Sequence, residues 1–130
     1  MEGSIKDLAN YRLERAYEDL ERAKRELANT DYKLALNRSY YAIFHGLRAV
    51  NTLDGFDSSK HSQVIGHFNR EHVKTGDFPP DLTKKISAAM NIRQRSDYDD
   101  FYIASKLVAE QQVASAEAIL DLVKNFIQDR

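Results

Sequence analysis

The sequence predicts an all-α fold, an up-and-down helical bundle of about five helices, and three observations lead there. Apolar residues recur at steps of three and four along most of the chain. No segment alternates apolar and polar residues cleanly over the length of a strand. The two prolines are adjacent, Pro79-Pro80, and the glycines mostly fall between periodic segments.

Helix one is expected over roughly residues 5–28, with Leu13, Ala16, Leu20, Ala23 and Leu27 as its core seam and mixed charge elsewhere. Asp31 can cap helix two, roughly 31–51. Leu36, Tyr40, Ile43, Leu47 and Val50 form one stripe there, while Ala35, Ala42 and Phe44 add apolar surface elsewhere. A helix that is apolar on most sides is usually central. Asn51 to Asp57 reads as a loop around Asp54-Gly55. Ser58 or Ser59 can cap helix three, roughly 59–73, with Val64, Ile65 and Phe68 inward. A second loop, Lys74 to Pro79, leads into helix four, roughly 80–95, where Pro80 suits the first turn. Its inner row is Leu82, Ile86 and Ala89, continued by Arg93. Ser96 to Tyr102 breaks the pattern. Ser105 can then cap helix five, roughly 105–128, with a seam of Ala109, Val113, Ala116, Leu120, Val123 and Ile127. No apolar seam is obviously left over.

With 130 residues the chain fits one domain, 1–130, around one core. The absence of cysteine excludes disulfides, thiol catalysis and thiolate metal sites, and fits a reducing compartment. A net charge of −1 provides no bulk field toward nucleic acid or lipid, so contact with nucleic acid would need a local basic patch. No basic-then-apolar leader opens the chain, and no apolar run approaches the roughly 20 residues of a bilayer span. A soluble, cytoplasmic protein without membrane contact is expected.

Several polar residues interrupt this scheme. Arg38, Tyr41 and His45 share one face of helix two at i, i+3 and i+7. They are either satisfied polar tips within a core or one wall of a site. Arg38 lies roughly 10 Å from His45 along the axis, so the two need not touch, whereas Tyr41 can position His45. Arg93 continues an apolar seam, and a guanidinium is rarely buried unpaired. It either closes helix four by pairing with Asp97, or binds phosphate with Arg95 beside it. Lys60 and His61 open helix three, where backbone N–H groups favour anions, or are simply loop surface. His67 and His72, at i and i+5, are not expected on one face. No metal-ligand spacing, glycine-rich phosphate loop or nucleophile elbow occurs, so neither metal nor cofactor is expected.

Asn37-Arg38-Ser39-Tyr40-Tyr41-Ala42-Ile43-Phe44-His45, then Ser59-Lys60-His61-Ser62-Gln63-Val64-Ile65, then Phe68 and Val73-Lys74-Thr75-Gly76, then Arg93-Gln94-Arg95-Ser96-Asp97-Tyr98-Asp99 resemble, in order, the HEPN superfamily, more narrowly its small stand-alone prokaryotic branch. The resemblance implies a helical bundle, commonly a homodimer, often paired with a minimal nucleotidyltransferase in toxin–antitoxin or defence modules. Many members are metal-independent endoribonucleases with an arginine, four to six residues, then a histidine at the end of the helix matching helix four. The arginine steadies charge on the scissile phosphate, and the histidine activates the 2′-hydroxyl or protonates the leaving oxygen. This chain has Arg93 but no histidine after it; Asp97 or Tyr98 stands there, and neither has an unperturbed pKa near neutrality. Arg38 and His45 match the spacing on a different helix. Packed helices lie about 8–10 Å apart, so a bundle can bring His45 to Arg93.

Three functions follow as expectations. The first is a module that binds RNA or a nucleotide and works with a nucleotidyltransferase, without catalysis of its own. The second is an endoribonuclease using His45, Arg93 and Tyr98, with Arg38, Lys60, His61 and Arg95 on phosphate and Tyr41 and Asp97 in support. The third is a non-enzymatic, dimeric adaptor bundle.

Overall fold

The computed structural model describes the backbone of residues 2–130 and the side chains from Ser4 onward. Five α-helices follow one another: α1 (Glu2–Ala28), α2 (Tyr32–Thr52), α3 (His61–Phe68), α4 (Leu82–Tyr98) and α5 (Lys106–Gln128). No strand occurs among the described residues. No helix is long and apolar enough to cross a membrane.

α2 is the axle of the bundle and packs against α1, α3, α4 and α5. The predicted stripe Leu36, Tyr40, Ile43, Leu47 and Val50 is buried, and so are Ala35, Ala42 and Phe44. The seams of α1 (Leu13, Ala16, Leu20, Ala23) and α5 (Ala109, Val113, Ala116, Leu120, Val123, Ile127) close on it from two sides, with Leu27 only partly buried. Packing is tight at Gly46. A Cβ built there would lie 2.6 Å from Cδ2 of the fully buried Leu120. One polar bridge crosses this interface: Gln112 Nε2 donates to Leu36 O and Ser39 Oγ, each at 2.8 Å.

The helix starts follow local chemistry where a short polar side chain is available. Asp31 Oδ1 accepts from Leu34 N at 3.0 Å, and Ser105 Oγ accepts from Val108 N at 3.1 Å. Other boundaries differ from expectation. α3 starts at His61, with Lys60 as an N-cap that makes no side-chain cap bond; Ser58 turns the preceding loop instead, accepting from Lys60 N at 3.1 Å. Ile65 is only partly buried. Pro80 lies ahead of the N-cap Asp81, outside the first turn of α4. α4 continues past residue 95 because Ser96 is buried, and the chain turns extended only at Asp99.

The largest departure is in helix three. Its second half, Asn69–Val73, is a π-helical turn. The wider turn rotates His72 inward, to 5% exposure, with its ring 5.8 Å from Phe68 and 5.4 Å from Phe126 between centroids. At the α4–α5 corner the bundle leaves large apolar side chains outside: Tyr98, Phe101, Ile103 and Leu107 are all exposed. They follow no helical seam, which is why periodicity did not reveal them.

The Gly46 contact makes a testable point. Gly46→Val adds two further methyl carbons beside the fully buried Leu120. Overpacking of this kind costs about 1–3 kcal/mol, so the urea midpoint should fall correspondingly. An unchanged midpoint would show that α2 and α5 are not in close contact there.

Candidate functional site

The unusual polar residues of α2 meet partners supplied by three other helices. On the α1 side, Asp19 is 7% exposed and receives two of them. Arg38 Nη1 lies 3.4 Å from its Oδ1, and His45 Nε2 lies 3.6 Å from its Oδ2, an electrostatic contact longer than a hydrogen bond. Arg38 is further steadied by Asn37 Oδ1, which accepts from its Nε and Nη2 at 2.9 and 2.6 Å.

On the α4 side, Arg93 inserts its guanidinium against two tyrosines. Its central carbon is 5.1 Å from the centroid of the Tyr40 ring and 5.4 Å from that of Tyr41. Nη2 donates to Tyr41 Oη at 3.2 Å, and Nη1 reaches His61 Nδ1 at 3.4 Å. Asp97 Oδ2 lies 3.4 Å from Nε, but the buried Nε–H makes no hydrogen bond, so this contact is one of charge alone. The expected Asp97 contact is thus present and offsets the charge of Arg93, while the fork is aimed at Tyr41 and His61.

His61 completes the cluster. Its ring stacks on Phe44 with centroids 4.0 Å apart, and Tyr40 Oη lies 2.7 Å from Nδ1. A guanidinium only donates. The Nδ1 that faces Arg93 is therefore the bare nitrogen, and the ring proton sits on Nε2. Burial pushes the Tyr40 phenol up to about 12, with Arg93 pulling the other way, so its O–H stays in place and donates to Nδ1. The approach of α3 that brings His61 here is fixed by Asp57, which pairs with Arg12 at 3.1 Å and Arg48 at 2.9 Å.

Two adjoining clefts open over these groups. One, of roughly 510 Å³ and within the range of small-ligand sites, is lined by Arg15, Asp19, Arg22, Arg38, Tyr41 and His45 among others. The second is lined by Tyr41, Phe44, His45, Arg48, Ser58 and His61 among others. Tyr41 and His45 border both, so the two clefts meet along these side chains and together are the groove. A larger groove beside Lys124 and Gln128 carries no imidazole.

Arg38, Tyr41, His45, His61, Arg93 and Asp97 are therefore assembled. His61, expected beside Lys60 as a phosphate contact, is the histidine that meets Arg93, whereas His45 meets Asp19. Lys60, Arg95 and Tyr98 are exposed, and their side chains make no hydrogen bond to the cluster among the described residues. Arg95 instead lies over the Tyr102 ring at 5.2 Å. Sequence reasoning missed Asp19, although it stands three residues after Ala16 and four before Ala23, at the edge of the α1 seam. It also filed Tyr40 as core, which its ring is and its hydroxyl is not. His67 and His72 correct a further expectation: the π turn brings them together, and both Nε2 atoms contact one oxygen of Asp54.

Both imidazoles of the groove have pKa values below the usual 6.5. For His45 burial is the main cause, opposed by Asp19 and reinforced by Arg48, Arg15 and His61. For His61 it is burial, then Arg93 and Arg48. The unfolded chain thus takes up these protons at a higher pH than the folded one. Their contribution to stability is fully present above 6.5 and is lost as pH falls through the folded values. In an NMR titration both rings should show midpoints below 6.5, and the urea midpoint should decline below that pH, less steeply in His45→Gln. A midpoint above 6.5 for either ring would contradict this environment.

The family model described as HEPN domain matches residues 9–126. A protein of Thermotoga maritima named "UPF0332 protein" is 34% identical over 122 residues, covering 94% of this chain and 92% of its own. Two proteins of Methanocaldococcus jannaschii are also similar. "Putative toxin MJ0142" is 31% identical, covering 88% of this chain and 78% of its own, and "Putative toxin MJ0605" is 30% identical, covering 90% and 87%. With nearly the whole helical bundle inside the matched span, the chain belongs to the HEPN domain family.

Proposed function

We propose that the groove over α1, α2 and the start of α3 binds the phosphate backbone of single-stranded RNA or a nucleotide, in a HEPN module of the toxin–antitoxin type. The observation that carries this reading is Arg93, a half-buried guanidinium fixed between Tyr40, Tyr41 and His61, with Tyr41 and His61 also lining the clefts that present Arg15, Arg22, Arg38 and Arg48. A planar fork held in place by aromatic rings suits a phosphate better than a mobile lysine does. The toxin names of two relatives support the module. A minimal nucleotidyltransferase is the partner the family resemblance implies, and the exposed Phe101, Ile103 and Leu107 offer apolar surface for that partner or for a second copy in a homodimer.

A second reading, a metal-independent endoribonuclease, is favoured by one observation. His45 and His61 are held neutral beside arginines, the state a general base requires. In it His45 takes the proton of the 2′-hydroxyl and Arg93 steadies the phosphate, with the exposed Tyr98 near the α4 end.

Binding of a fluorescent single-stranded RNA, measured across a salt series in EDTA, separates the readings. Affinity should fall steeply with salt. Arg93→Lys should weaken it about 10–100-fold, as expected for a charge-assisted hydrogen bond. Binding without cleavage supports the first reading. Cleavage that His45→Ala abolishes supports the second, and cleavage that His45→Ala leaves unchanged removes His45 as the base. No binding even at low salt leaves an adaptor bundle.

A further inference from the structure

On the far end of α3 from His61, three side chains from separate segments converge on one point. Asp54, from the α2–α3 loop, places Oδ2 2.9 Å from His67 Nε2 and 2.6 Å from His72 Nε2. One donor atom from each of the three lies within 4.8 Å of the others. We propose that Asp54, His67 and His72 form a binding site for a divalent first-row transition metal, zinc foremost.

The donor set is the first argument. Two imidazole nitrogens and one carboxylate oxygen suit Zn2+, with a water completing four-coordination. Asp54 is about one-third exposed at its side chain, which leaves an entry path and room for that water. Ligand atoms around tetrahedral zinc sit about 3.3 Å apart, given bonds of about 2.0–2.1 Å. Seating the ion thus requires Asp54 Oδ2 to move outward from its 2.9 and 2.6 Å contacts toward that spacing.

The proton count is the second. His72 faces a carboxylate with each ring nitrogen, Asp54 at Nε2 and Asp77 at Nδ1, the latter at 3.0 Å. A neutral imidazole has one N–H and can serve one of them. An imidazolium would serve both, and so does a metal ion at Nε2, with Nδ1–H donating to Asp77 and the bare Nε2 of each histidine facing the ion. A carboxylate behind a ligating histidine is the usual outer support of such sites.

Rigidity is the third. The Phe56 ring stacks on His67 with centroids 4.1 Å apart and planes 6° apart, and His72 is wedged among Phe68, Phe78 and Phe126. The π turn between the histidines lets residues five apart share a point, and such turns concentrate at functional sites. The bound ion ties the α2–α3 loop to the end of α3 and to the π turn that follows it.

Isothermal titration of tag-free, chelator-treated and then chelator-free protein with ZnCl2 tests this. One Zn2+ per chain should bind and raise the thermal midpoint, and CoCl2 should give the visible absorption of a low-symmetry cobalt site. Asp77→Asn should weaken binding about 10–100-fold, as loss of an outer carboxylate does. His67→Ala and, separately, the loop variant Asp54→Asn should abolish it, with circular dichroism confirming the helical fold of each. The absence of stoichiometric binding, or wild-type affinity in both Asp54→Asn and His67→Ala, would overturn the proposal.

Discussion

The polar groups on the inward faces of α2 draw much of their satisfaction from other helices, because α2 packs against α1, α3, α4 and α5. Unpaired polar groups in such a position are costly, and unpaired charges more so. The consequences run through the whole structure. Asp19 of α1 answers Arg38 and His45, His61 of α3 answers Tyr40, Arg93 of α4 answers Tyr41, and Gln112 of α5 bridges to Leu36 and Ser39. Each pairing sets the rotation of one outer helix against the axle. The core stripe holds the helices together, and the polar pairs select which faces meet.

The same constraint produces the chemistry of the groove. A histidine in water would exchange protons near pH 6.5, but burial beside arginines keeps His45 and His61 neutral. A free arginine would sample many rotamers, whereas Arg93 is confined by two aromatic rings and a hydroxyl. The cost of fixing its side chain is met in folding. The departure from the common arginine–histidine spacing of the family is thereby given a geometric counterpart: the imidazole beside Arg93 comes from the start of α3 instead of the end of α4.

Two local irregularities have the same root. The π turn at Asn69–Val73 brings His72 inward among phenylalanines, where a regular helix would carry it elsewhere. The clamp of Arg12 and Arg48 on Asp57 holds the loop that delivers His61. Hydrogen bonding around Arg48 and burial act against each other on the Asp57 carboxyl, and the arginines win, keeping it below the usual carboxylate range. Strongly attached loops on either side of α3 give this short helix the fixed position that its own eight residues could not secure.

The sequence by itself determined the helices, their order and the central place of α2, because apolar periodicity and capping residues are local signals, while its ordered motifs carried the family resemblance. It also marked Arg38, Tyr41, His45 and Arg93 as anomalies, since each interrupts or flanks an apolar row. Only the tertiary structure decided their partners. Asp19 and Asp57 look like ordinary surface acids in a chain that is 30% charged, and nothing local pairs them with arginines on another helix. The pairing of Arg93 with His61, 32 residues apart, and of Asp54 with His72, 18 apart, depends on how packed helices rotate and on one widened turn. Those choices are made by the summed burial of the whole core, and no short stretch of sequence contains them.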